Sequence, residues 1–239
     1  MKSYANTDIG VVRSINQDFV YACDEKIGNL NNLYIVADGM GGHNAGDLAS
    51  RYAVERTIEY IKENTNKNPI AIMDEVIKKV NKDVYEKSME DESYSGMGTT
   101  MVIATVLDNQ LYVANVGDSR LYIVNDKITQ ITRDHSWVEE MVSRGELDRD
   151  DPKFLSKKNV ITRAIGGDDE VMADFFEVAF NENDKILICS DGLTNMVNDE
   201  QIREIIEGES VLENATFKLI EIAKEHGGKD NIAVVVAER

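Results

Sequence analysis

Four aspartates in this sequence stand at the edges of apolar runs. Asp38 closes Leu33-Tyr34-Ile35-Val36-Ala37 and is followed by Gly39-Met40-Gly41-Gly42-His43. Asp118 follows Leu111-Tyr112-Val113-Ala114-Asn115-Val116-Gly117, Asp191 follows Ile186-Leu187-Ile188-Cys189-Ser190, and Asp230 comes just before Ile232-Ala233-Val234-Val235-Val236. A carboxylate fixed at a strand end and left open by a glycine turn is well placed to bind a cation. If these ends converge, the ligand set is all oxygen, which suits hard cations such as magnesium or manganese. Two such ions about 3.5–4 Å apart acidify a water and aim it at phosphorus. Asp38, Asp191 and Asp230 could supply the shared and terminal carboxylates, and Gly39 its backbone carbonyl. Asp118 and Asp18 are further candidates. Each aspartate alone reads more readily as a turn residue than as a ligand, since Asp-Gly is common turn chemistry. The repeated pattern is harder to explain that way, because three of the four follow strongly apolar runs.

Other residues offer supporting chemistry. Arg13 carries a planar fork suited to phosphate oxygens, against the alternative of a solvated surface arginine. His43, after the glycine turn, could act beside the metals as an acid or polarising group, or simply support the turn. His135 precedes a helix start and reads as structural. His226 lies in a last helical turn and complements the helix dipole.

The elements that must position these residues follow from periodicity. Short strands are expected over 3–7, 17–23 and 33–37. Residues 45–64 and 70 to about 90 read as amphipathic helices, the second with Pro69 at its first position. A meander is expected over Thr99–Leu107, Gln110–Val116, Leu121–Val124 and Lys127–Thr132. Ser136-Trp137-Val138-Glu139 has capping-box spacing for a short helix to about Arg144. Gly145–Lys158 is charged and irregular, the composition of a functional loop. Strands are expected again over Ile161–Gly166, Val171–Ala179 and Lys185–Cys189. Helices follow over Asn198–Ile206 and Ser210–His226, the last ended by Gly227-Gly228. Strand runs separated from helix runs indicate an α+β protein rather than an alternating parallel sheet.

Composition narrows the class. The 239 residues hold no proline- or glycine-rich linker and read as one domain, 1–239. The 44 acidic and 26 basic residues give a net charge of −18, which argues against nucleic acid or an anionic membrane as partner. No apolar run approaches the roughly 20 residues of a membrane helix, and the mixed charges of the first twenty residues do not form a signal peptide. Cys23 and Cys189 read as buried thiols in a reducing compartment. The location expected is the cytoplasm.

Taken together, the motifs resemble the metal-dependent protein phosphatases, the type-2C Ser/Thr phosphatases, in their short bacterial form. Arg13 with Asn16-Gln17-Asp18, Ala37-Asp38-Gly39-Met40-Gly41-Gly42-His43, Gly98-Thr99-Thr100, Asn115-Val116-Gly117-Asp118-Ser119-Arg120, Asp134-His135-Ser136, Ser190-Asp191-Gly192-Leu193 and Lys229-Asp230-Asn231 occur in the family's order. The resemblance implies a four-layer α-β-β-α sandwich with two central antiparallel sheets, and two core Mn²⁺ or Mg²⁺ ions. Asp38 would bridge the ions, Gly39 would complete one site, and Asp191 with Asp230 would hold the other. Asp118 with Asp191 would hold a third ion. Arg13 would grip the substrate phosphate and Asp18 would orient a metal-activated water. The segment 143–165 matches the family's flap. Met40 stands where many eukaryotic members have a histidine that serves as general acid, so that role passes to a water or to His43. The activity implied is hydrolysis of phosphoserine and phosphothreonine in proteins, by a monomer that opposes a bacterial Ser/Thr protein kinase. A non-catalytic relative that binds partners through the same fold, and a two-metal hydrolase of small phosphomonoesters, are the alternatives. The intact aspartate set weighs against the former.

Overall fold

The computed structural model describes residues 1–42, 45–148, 151, 157 and 159–239. Two antiparallel sheets lie face to face. One runs in the order β1 (Lys2–Asp8), β11 (Ile232–Glu238), β10 (Lys185–Cys189), β7 (Arg120–Val124) and β8 (Ile128–Gln130). The other runs β2 (Asp18–Cys23), β3 (Leu33–Met40), β5 (Met101–Leu107), β6 (Gln110–Val116) and β9 (Asp174–Ala179), with the short β4 (Gly98–Thr99) paired to the end of β3.

The apolar runs are continuous because both faces of the central strands are covered. Side chains alternate along a strand, so Tyr34 and Val36 of β3 enter the core between the sheets. Leu33, Ile35 and Ala37 point the other way, into a core shared with α1 (Ala45–Glu63) and α2 (Pro69–Ser88). In β11 the same division sends Ala233, Val235 and Ala237 between the sheets. Ile232, Val234 and Val236 face outward, into a core that includes residues of α4 (Asp191–Thr194), α5 (Asp199–Gly208) and α6 (Leu212–Glu225). The layers are therefore helix, sheet, sheet, helix, as the α+β reading requires. Each fully buried Val, Leu or Ile contributes about 1.5–3 kcal/mol of transfer free energy, so these three clusters hold the strand ends in place.

Helix starts follow local chemistry. Asn68 caps α2 by accepting from the Ala71 amide, with Pro69 next in line. Ser136 caps α3 (Trp137–Ser143) by accepting from the Glu139 amide, and Asn198 caps α5 through the Gln201 amide.

Three expectations need correction, and one element is new. β3 does not stop at Asp38: Gly39 and Met40 continue the strand because Thr99 and Gly98 of β4 pair with them. Ile161–Gly166 is not a strand. Its backbone is shared between two different elements, bridging Ser136 at Ile161 and Thr99 at Ile165, so no ladder forms. The strand expected from Val171 begins at Asp174, opposite Asn115. The partner strand ends at Val116, and Gly117, at φ +108°, turns away. The short helix Asp191–Thr194 was not foreseen, since one turn has no periodicity to read. In the 143–165 segment, residues 149, 150, 152–156 and 158 lie outside the described residues, as do His43 and Asn44.

Candidate metal centre

Asp38, Gly39, Asp118, Asp191 and Asp230 line one cleft of about 260 Å³, and Arg13 stands on its wall. The ends of β3 and β6, the start of α4 and the lead-in to β11 deliver them, which is the convergence the sequence pattern requires. Met40, Asn159 and Ile161 complete part of the rim.

The backbone around each carboxylate is clamped. The Asp38 amide donates to Thr100 Oγ1 at 2.9 Å. The Asp38 carbonyl accepts from Thr99 Oγ1 at 2.9 Å and from the Thr100 amide at 2.8 Å. Thr100 Oγ1 is tied in turn to Ser119 Oγ at 2.8 Å, next to Asp118. Asn195 Nδ2 donates to Asp191 Oδ2 at 2.8 Å. Asp191 and Asp230 approach each other through a backbone contact that only glycine permits. A Cβ on Gly192 would sit 1.9 Å from the Asn231 carbonyl oxygen.

Asn231 staples the Arg13 loop to this wall. Its Oδ1 accepts from the Gln17 amide at 2.9 Å, and its Nδ2 donates to the Ile9 and Ile15 carbonyls at 2.9 and 3.0 Å. Arg13 Nη2 donates to Asp230 Oδ2 at 2.7 Å, so the expected phosphate fork rests on an expected metal ligand. Asp18, one strand over, pairs with Asp38 in the β2–β3 ladder. It is buried and takes a 2.6 Å hydrogen bond from Ser190 Oγ on its Oδ2. It sits beside Asp38 and is not among the described residues that line the cleft. His43, the third expected catalytic residue, falls outside the described residues.

The electrostatics are those of an unneutralised anion cluster. Burial first, then the charges of Asp18, Asp191, Asp118 and Asp230, push the Asp38 carboxyl well above its ordinary range. Burial and Asp191 raise Asp118 to about 8. Burial raises Asp18 to about 7 against the opposing Ser190 hydrogen bond, with Asp191 and Asp230 adding to the rise. Oδ1 of Asp118 and Oδ1 of Asp18 are buried with no hydrogen-bond donor among the described residues. Among the described residues no three His, Cys, Asp or Glu side chains close on one point as a finished metal cage. The carboxylates line the cleft instead. Orphaned anionic oxygens, mutual repulsion and an all-oxygen donor set fit hard divalent cations.

Sequence reasoning missed the roles of Thr99, Thr100, Ser119, Ser190 and Asn231. They lie in the quoted motifs, but a hydroxyl or amide that clamps backbone has no spacing of its own to betray it.

A sequence model described as Protein phosphatase 2C matches residues 11–233. The chain belongs to the protein phosphatase 2C family. A curated relative, the serine/threonine phosphatase Stp of Listeria innocua, is 38% identical over 244 residues, covering 100% of this chain and 96% of its own. The solved serine/threonine phosphatase of S. agalactiae superposes with a TM-score of 0.91 at 36% identity, covering 100% of this chain and 99% of that one. The catalytic domain of the serine/threonine protein phosphatase PstP, solved in complex with two manganese ions, superposes with a TM-score of 0.85 at 32% identity over 99% of this chain and 97% of its own. As a protein phosphatase 2C the chain is a hydrolase, and the fold and the metal dependence anticipated from its motifs are those of the family.

Proposed function

We propose that this protein phosphatase 2C releases phosphate from phosphoserine and phosphothreonine in proteins, using two Mn²⁺ or Mg²⁺ ions held by Asp38, Gly39, Asp191 and Asp230. The observation that carries the reading is the ring of buried and half-buried, mutually repelling carboxylates in one cleft, with Arg13 as the one cation among its described lining residues. The names of the relatives and the manganese in one of the solved neighbours support it. When bound, the cations supply Lewis-acid charge and an acidified water as nucleophile.

The chain's own residues do the rest. Asp38, on the rigid end of β3, is placed to be shared between the two ions. Asp191 and Asp230 approach from the opposite sheet, and Asp118 with Asp191 would hold a third ion. Asp230 would hold a cation, and Arg13, now on Asp230 Oδ2, would turn its guanidinium to fork onto the substrate phosphate. Asp18 keeps one oxygen on Ser190 and presents the other as an acceptor for a water at the centre. Met40 has no proton to give to the departing alkoxide, so a water takes that part, or His43.

The physiological setting that accords with this reading is a cytoplasmic monomer of a single domain, acting on phosphoproteins that include a Ser/Thr protein kinase. Among the described residues no helix is long and apolar enough to cross a membrane. The test is phosphate release from a phosphothreonine peptide with Mn²⁺, Mg²⁺ or EDTA. Turnover with Mn²⁺ that EDTA removes is expected. A protein that binds Mn²⁺ yet releases no phosphate with any metal would instead be a binding module.

A further inference from the structure

Beside the metal cleft lies a second cavity of about 350 Å³. Met40 and Ile161 line both spaces, so the two are neighbours across these side chains. A peptide with its phosphate at Arg13 and Asp38 therefore passes within one side chain's reach of the second cavity. One part of the wall is apolar, built from Met40, Ile161, Val171 and Met172; the rest includes Asp168 and Glu170.

Three features make this a built recess. Met172 is 72% exposed, a large thioether standing in water beside the cavity. The acidic turn is held from below by Asn81, a buried residue of α2. Asn81 Nδ2 donates to the Asp168 and Asp169 carbonyls at 3.0 and 3.1 Å, and Asn81 Oδ1 accepts from the Gly166 amide at 2.8 Å. Gly166 takes φ +78° there, and a Cβ would meet Val84 at 2.3 Å, so the turn is locked onto the helix. The cavity's charge is also one-sided. Arg163 reaches its lining but is engaged by Asp174 Oδ1 at 2.9 Å. Asp168 and Glu170 are exposed and have no ion-pair partner among the described residues.

We propose that this cavity is a substrate subsite that takes a lysine or arginine side chain flanking the phosphoresidue. The aliphatic stem would lie along Met40, Val171 and Met172, and the cationic head would reach Asp168 and Glu170, in the way long basic side chains cover apolar surface while keeping their charge wet. An acidic side chain there would meet two carboxylates and be rejected, which makes the recess a device for selecting among phosphoproteins. The inference rests on the phosphoprotein phosphatase reading of the cleft.

The experiment measures kcat/KM with Mn²⁺ for phosphothreonine peptides in which arginine, norleucine or glutamate is moved through the flanking positions. A small aryl phosphate, which fills the cleft alone, is the reference. At one position arginine should exceed norleucine about fivefold, the scale of a partly exposed ion pair, with glutamate poorer still. In the Asp168→Asn/Glu170→Gln double variant, which keeps the turn's shape, the arginine-to-norleucine ratio should fall to about one. Met172→Ala should lower both peptides relative to the aryl phosphate. Equal rates for arginine and norleucine at every position, or a ratio that survives the double variant, would overturn the proposal while leaving the phosphatase reading intact. Failure to turn over even the aryl phosphate would overturn the phosphatase reading, and the subsite with it.

Discussion

Arg120 and Asp134 line the same cavity as Asp118 and Asp191, yet the two groups of charge are built on opposite terms. Arg120 and Asp134 satisfy each other. Nε lies 3.0 Å from Oδ1 and Nη2 lies 2.7 Å from Oδ2, a bidentate pair that Gln130 Nε2 joins at 2.9 Å. Burial disfavours the arginine's charge, but Asp134 more than offsets it and the guanidinium stays firmly protonated. A few ångströms of wall away, Asp38, Asp118 and Asp191 face like charges, and Asp118 keeps an oxygen with no donor. Both groups are buried charge, and both sit in motifs the sequence displays. What separates structure from function is balance: the neutral pair is complete without a ligand, and the anionic ring is not.

The sharpest way to break that comparison is to remove one charge from each side. Asp38→Asn should cut phosphate release about a thousandfold or more. Without metal, at a pH high enough to ionise the ring, it should raise Tm by about 2–4 °C, because one repulsive charge is gone. Loss of metal-free stability in this variant would show that the ring is not strained. Arg120→Ala should do the reverse. It leaves Asp134 half-buried and unpaired, costing about 2–3 kcal/mol and about 5–10 °C in Tm, with or without metal. A thermal scan in EDTA and in Mn²⁺ reads both.

A smaller effect comes from pH. Asp18 at about 7 and Asp118 at about 8 lie above the ordinary carboxyl value in the unfolded chain, so the folded metal-free protein holds extra protons between those values. Their contribution to stability is full in acid and is lost as pH rises toward 8. In EDTA, Tm should therefore decline between pH 5 and about 8.5, and saturating Mn²⁺ should flatten the decline, since the cations replace the protons. A decline that Mn²⁺ does not alter would sever the link between the raised carboxyls and the metal.

Most of the frame was legible because both faces of the central strands are buried. Leu33–Ala37 and Ile232–Val236 are apolar without interruption, and a run of that kind has few alternatives to a core strand. The cleft's carboxylates were legible for a related reason: a carboxylate after such a run has no apolar role to play. The illegible parts depend on partners far along the chain. Gly39 and Met40 read as a turn until β4 is known to lie beside them. Ile161–Gly166 has strand composition but divides its hydrogen bonds between Ser136 and Thr99. Asp18 read as a member of the cleft; the β2–β3 register sets it beside Asp38, buried and off the described cleft lining.

The pairing of β1 with β11, together with the Asn231 staple, also governs when the protein can work. β1 has β11 as its one neighbour in the sheet, and the loop that carries Arg13 is pinned by a side chain synthesised more than two hundred residues later. A chain still emerging from the ribosome has its first strand unpaired, its phosphate fork unanchored and its last carboxylate missing. Activity should therefore wait for β11, and a protease that cut it would unseat the cleft as well as the sheet, since Ala233 also holds Ser190 beside Asp18 and Asp191.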